Sequence, residues 1–133
     1  MKNRDTCIKD LRDKTLGKIT EGISEEELFQ NNTLRPILKF QNKLLIELFL
    51  TYIKKTKNIY YTLSLEKKCN YIGKVTTSDF TFRNQLIGII VGLFTVEEYI
   101  EYTKNSSNLN KRIINLLIER WKSQMILLEK TTN

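Results

Sequence analysis

Nine consecutive residues, Leu86 to Phe94, read Leu, Ile, Gly, Ile, Ile, Val, Gly, Leu, Phe, without a polar side chain, in a chain otherwise dotted with Lys, Asn and Glu. Such a stretch calls for burial, so the rest of the chain has to supply amphipathic faces that pack around it. As a helix it spans about 14 Å at about 1.5 Å per residue, well short of the roughly 18 apolar residues that cross a bilayer. It is therefore expected to be a core element. Ile, Val and Phe favour strands, and a run of this length also suits a buried strand. The flanks decide for a helix. Thr77 or Ser78 can cap it with Asp79 in the first turn, and Thr95, Val96, Glu97, Glu98 is a capping box that restarts a helix immediately behind. On a helix, Arg83, Ile87, Ile90, Val91 and Phe94 share one face and Phe82, Leu86, Ile89 and Leu93 another, and both faces call for burial.

The surrounding chain reads as helices too. Ser24 to Glu27 is a capping box opening a short acidic helix to about Gln30. A long helix is predicted from Thr33, with Pro36 tolerated in its first turn and Leu34, Ile37, Leu38, Leu45, Leu48, Phe49 and Tyr52 on one face. It ends in Lys54, Lys55 and Lys57, where cations suit the negative end of the helix dipole. Ile59 to Leu63 is a lone β-branched and aromatic run with no partner strand, hence a connector with Tyr60 or Tyr61 packed inward. Ser64 then caps a helix carrying Leu65, Cys69 and Ile72, closed by Gly73, with a turn from Lys74 to Ser78. The last long helix runs from Leu109 to about Leu128, with Ile113, Leu116, Leu117, Trp121 and Met125 on its apolar face. The expected fold is all-α, a single-domain bundle of about five to six helices in which two long amphipathic helices enclose a central apolar one. Residues 24–133 form that domain, and residues 1–23, interrupted by Gly17 and Gly22, a loosely held arm.

A chain of 133 residues, 41% apolar and 28% charged, is long enough to bury one core without disulfides or metal. Cys7 and Cys69 lie far apart, and Lys2 and Arg4 break up the start of the chain, so a reducing cytoplasm is expected rather than secretion or a membrane. The absence of His removes the usual metal ligand and the usual general base. Two distant Cys do not make a zinc site, neither thiol has an activating base beside it, and no phosphate-cradling loop is present. No metal and no cofactor is expected. Gly88 and Gly92 have GxxxG spacing, which points to close approach of another helix, within the chain or across a homodimer, with Trp121 as a further contact.

Two groups of polar residues invite a functional reading. Glu47, Arg83, Asn84, Glu119 and Arg120 lie close to apolar faces, and an Arg leaning into a core needs a carboxylate or a row of carbonyls. Arg83 or Arg120 is thus expected to pair with Glu47 or Glu119. The net charge of +7 comes from 16 Lys and 6 Arg, and low-GC codon usage would raise Lys together with the 12 Asn. Even so, Lys54, Lys55, Lys57, Lys67 and Lys68, followed by Lys74, are interleaved with Tyr60, Tyr61 and Tyr71, as in a surface that holds single-stranded nucleic acid.

Leu34 to Asn42, Phe82-Arg83-Asn84, Phe94 to Tyr99, Leu109 to Arg112, and Glu119, Arg120 and Gln124 together resemble a small uncharacterised bacterial family sometimes labelled "glyoxalase", over nearly everything after Gly22. Glyoxalase I-type enzymes use βαβββ modules with His and Glu metal ligands, and this chain has neither His nor a set of strands, so no site residue carries over. The leading expectation is a non-enzymatic protein acting by association, with itself or another protein. A nucleic-acid-binding module is the alternative, and an enzyme with Glu47, Arg83 and Glu119 around an internal pocket is the third possibility.

Overall fold

The structure, a computed structural model, describes residues 3–12 and 22–129. Among these the chain is all-α, a single helical domain with no strand. The α-helices are α1 (Arg4–Leu11), α2 (Glu25–Phe29), α3 (Arg35–Phe40), α4 (Asn42–Lys55), α5 (Leu65–Ser78), α6 (Phe80–Val91), α7 (Val96–Thr103) and α8 (Ser106–Ser123). A π-helical turn, Gln30–Leu34, joins α2 to α3, and 3-10 turns span Ile59–Thr62 and Met125–Leu128.

The apolar run is a helix, α6, for its first part only. Asp79 caps it, accepting from the Phe82 amide at 3.2 Å, and the Tyr52 hydroxyl donates to the other Asp79 carboxylate oxygen at 2.8 Å. Thr77 and Ser78 are not the caps, because α5 runs on through them and their hydroxyls donate to carbonyls one turn back. Gly73 accordingly lies inside α5 rather than closing it. Phe82, Leu86, Ile87 and Ile90 are buried, whereas Ile89 and Val91 are only partly so, and one side of α6 stays open at Gly88. Past the helix, Phe94 turns back into the core, edge-on to Phe29 and Tyr102.

The predicted first long helix is broken into three pieces. Ahead of Pro36 the chain widens into the π turn, closed by the Arg35 amide donating to the Gln30 carbonyl. That register spares the proline ring a clash with the carbonyl four residues back. A second break falls at Gln41 (φ −88°, ψ 3°), across which the apolar period continues. Helix α4 ends in a Schellman turn: the Asn58 amide donates to the Ile53 carbonyl at 3.0 Å and the Lys57 amide to the Lys54 carbonyl at 3.3 Å. Lys57 and Asn58 both take positive φ, 61° and 58°.

The core is centred on aromatic rings from α4, α6 and α8. Phe49 packs on Trp121 with ring centroids 4.7 Å apart, Tyr52 stacks on Phe82 at 4.2 Å, and Tyr60 meets Phe49 edge-on at 6.0 Å. Trp121 is 1% exposed and its indole N–H donates to the Leu45 carbonyl at 3.2 Å. It belongs to the core and is not available as a dimer contact.

Part of the stretch expected to be a loose arm forms α1, which straddles the corner between α6 and α7. Arg4 donates to the carbonyls of Phe94 (2.9 Å) and Gly92 (3.0 Å), Arg12 donates to that of Leu93 (2.5 Å), and Asp5 accepts from the Val96 amide (3.2 Å). Cations thus meet the carboxyl end of one helix and an anion the amino end of the next, as both dipoles favour. Residues 13–21 lie outside the described residues.

Candidate functional site

Of the five polar residues singled out in the sequence, two come together. Glu119 and Arg120 line a groove of about 410 Å³ on the outer side of α8, with Arg35, Leu38, Leu116, Ser123 and Gln124. A second hollow of about 360 Å³ shares Arg35, Leu116 and Glu119 and extends past Asn115 to Gln30 and Arg112, so the two adjoin along α8 beside the π turn and α3 and are described together as one groove. Glu47 is exposed on α4, Asn84 is exposed on α6, and neither they nor Arg83 line this groove. The expected pairing of Arg83 or Arg120 with Glu47 or Glu119 is not formed: among the described residues none of the four makes an ion pair. Glu119 and Arg120 are adjacent on a helix and do not face each other, although both border the groove, and Glu47 faces solvent.

Arg120 has instead an uncommon setting. It is partly buried, and among the described residues its one side-chain hydrogen bond runs from Nη1 to the neutral Asn42 Oδ1 at 3.3 Å. Asn42 and Gln124 exchange two amide hydrogen bonds of 2.8 Å, and Gln124 also donates to the Arg120 carbonyl, which fixes that end of the groove. Burial, and after it the charge of Arg35, lowers the Arg120 pKa. A guanidinium remains protonated at any working pH, so the shift does not change the charge of Arg120. Arg35 itself is exposed, held through Nε to Asn31 Oδ1 at 3.1 Å. The π turn supplies both Asn31 and Gln30, so its wider register also shapes this wall. Arg112 is spent: it donates to Glu26 at 3.3 Å and to Gln30 at 2.9 Å.

The buried ionic pair that the sequence led one to expect exists between other residues. Arg12 grips Glu98 through both terminal nitrogens, each at 2.7 Å, and Glu98 also accepts from the Thr33 hydroxyl (2.9 Å) and the Thr95 amide (2.8 Å). Burial pushes the Glu98 carboxyl up, but the bonds from Arg12, the Thr95 backbone and Thr33 outweigh it and hold the group below the usual carboxylate range. Every oxygen of this centre is used, and its chemistry is structural: it fastens α1 and the π turn to the start of α7. Reading Glu98 as a capping residue found half of its role. The other half depends on partners 86 and 65 positions away, for which the sequence carries no local signal.

The lysine patch is only partly assembled as foreseen. Lys54, Lys55, Lys57 and Lys67 are exposed, but Lys68 lies over the Tyr60 ring at 5.2 Å and 3.7 Å from Glu129. Tyr60 is fully buried, Tyr61 packs edge-on against it, and the Tyr71 hydroxyl bonds to Thr56. Tyr60 thus serves the core, and Tyr61 and Tyr71, each partly exposed, pack against the connector. Gly88 and Gly92 are exposed. An added Cβ at Gly88 would meet nothing within 4 Å, and at Gly92 only its own helix, so among the described residues the pair receives no neighbouring helix. Among the described residues no helix is long and apolar enough to cross a membrane, and no cluster of three or more Cys, Asp and Glu could hold a metal ion. Comparisons with protein-family models, with curated proteins and with solved structures found no match for this chain.

Proposed function

We propose that the chain is a non-enzymatic helical protein of the cytoplasm that works by association, and that the groove along α8 is its working surface, taking an anionic group of the partner. One observation carries this reading. Arg120 is a partly buried cation whose only side-chain hydrogen-bond partner among the described residues is a neutral amide, beside the second cation Arg35. The Arg120 nitrogens that bond to no protein group still reach the surface, where a guanidinium fork is shaped for a carboxylate or phosphate. Gly88 and Gly92 offer a second exposed surface for self-association.

Thermal unfolding in the presence of simple oxyanions tests the groove. A ligand that binds only the folded state stabilises it by RT ln(1 + [L]/Kd). Acetate or phosphate should raise the melting temperature above that in chloride of equal ionic strength, and the increment should vanish in the Arg35→Gln, Arg120→Gln double variant. An equal increment in both proteins would mean that the anions act generally and that the groove is not their site.

A further inference from the structure

Resting on that reading of the groove, we infer that its occupant is an extended acidic segment of a partner protein, about five or six residues long, with carboxylates spaced to meet Arg35 and Arg120. The first ground is length. Arg112 and Gln124 are separated by twelve positions on and just beyond α8, which is about 18 Å along a helix and matches roughly five to six residues of extended chain. A free phosphate would fill only a small part of such a trough. The second is the apolar part of the lining, Leu116 in both hollows and Leu38 in one, both largely covered, a narrow floor against which one aliphatic side chain can rest beside the acidic ones.

The third ground separates a peptide from a nucleic acid. Glu119 lies in the shared middle of the groove and makes no ion pair among the described residues. An evenly charged phosphate backbone laid along the trough would set a phosphate against this carboxylate. A peptide alternates carboxylates with backbone N–H groups, and an N–H opposite Glu119 gains an acceptor. Recognition is then zonal: guanidinium forks take the acidic side chains, the floor takes an aliphatic one, and Glu119 rejects a uniform polyanion.

Fluorescence anisotropy with the full chain tests the assignment, using a fluorescein-labelled hexapeptide of alternating glutamate and leucine, with inorganic phosphate and a twelve-nucleotide oligothymidine as competitors. The peptide should bind and be displaced by phosphate only at concentrations at least a hundredfold higher. Arg120→Gln should weaken it at least tenfold while the Trp121 emission spectrum, a report on the core, stays unchanged. Glu119→Gln, a change at an exposed residue, should raise oligothymidine affinity at least tenfold by removing the rejecting charge. Phosphate or oligothymidine equalling the peptide would overturn the peptide assignment and leave an anion groove standing. Peptide binding indifferent to Arg35→Gln and Arg120→Gln would overturn both. Self-association that the peptide dissolves would make a second copy's acidic turn the occupant, and would overturn a separate partner.

Discussion

Glu98 shows how one carboxylate can serve three elements. It closes the capping box of α7, receives the α1 arginine and holds the Thr33 hydroxyl of the π turn. Changing it to Gln keeps a capping acceptor but leaves Arg12 charged, with a side chain only 8% exposed, and a buried charge stripped of its partner costs roughly 3 kcal/mol. Urea unfolding at neutral pH should show a loss of that size for Glu98→Gln, and a smaller one when Arg12→Met is added, because the stranded charge is then gone. The pH dependence follows from the same contacts. The Glu98 carboxyl titrates lower in the folded than in the unfolded chain, so the folded state binds fewer protons, and its stabilisation is complete above the ordinary glutamate value of about 4.3 and is lost as pH falls through the depressed folded value. Wild-type stability should therefore drop more steeply than that of Glu98→Gln between roughly pH 5 and pH 2; parallel curves would show that the pair is not ionised as described. That an arginine near a core needs a carboxylate or a row of carbonyls was legible in the sequence, and Arg4 and Arg12 obey it. Which arginines obey it was not, because their acceptors lie 81 to 90 positions away on a corner that exists only once α6 and α7 have folded.

At the level of elements, local chemistry was readable where it competes with nothing. Ser24, Ser64 and Thr95 each accept from the amide three residues on, as their spacing foretold. The breaks were less readable. Gly73 reads as a stop, yet a glycine can occupy a helix interior when both flanks keep the apolar face, as Cys69, Ile72 and Thr76 do. Gln41 reads as mid-helix, yet its backbone (φ −88°, ψ 3°) leaves the helical range and separates α3 from α4. Gly73 therefore carries the entropic cost of glycine without a packing reason: its φ is not left-handed, and an added Cβ would meet nothing within 4 Å. Gly73→Ala should stabilise the protein by about 0.5–1 kcal/mol, seen as a higher urea midpoint with an unchanged slope. A loss instead would place some contact at that surface that the isolated chain lacks.

For the whole molecule the question is whether the net charge of +7 acts as a diffuse field or through one place. Arg4, Arg12 and Arg112 are committed to carbonyls and carboxylates inside the fold. Arg35 and Arg120 share the groove, whereas Lys54, Lys55 and Lys57 stand in water at the end of α4. A field scales with net charge and is screened beyond about 8 Å at physiological salt, whereas a site depends on which guanidinium meets which carboxylate. Two variants separate the cases. Arg35→Gln with Arg120→Gln removes two positive charges, leaving +5, while Lys54→Glu, Lys55→Glu and Lys57→Glu together reverse three, leaving +1. If the groove governs binding, the smaller change in charge does the greater damage: the acidic hexapeptide should lose at least tenfold in affinity with the arginine pair and no more than about threefold with the lysine triple at 150 mM salt, since screened charges are worth a fraction of a kcal/mol each there. The opposite order, with affinity following net charge and the difference fading as salt is raised, would mean that the protein attracts acidic partners through its whole basic surface and that the groove does not select them.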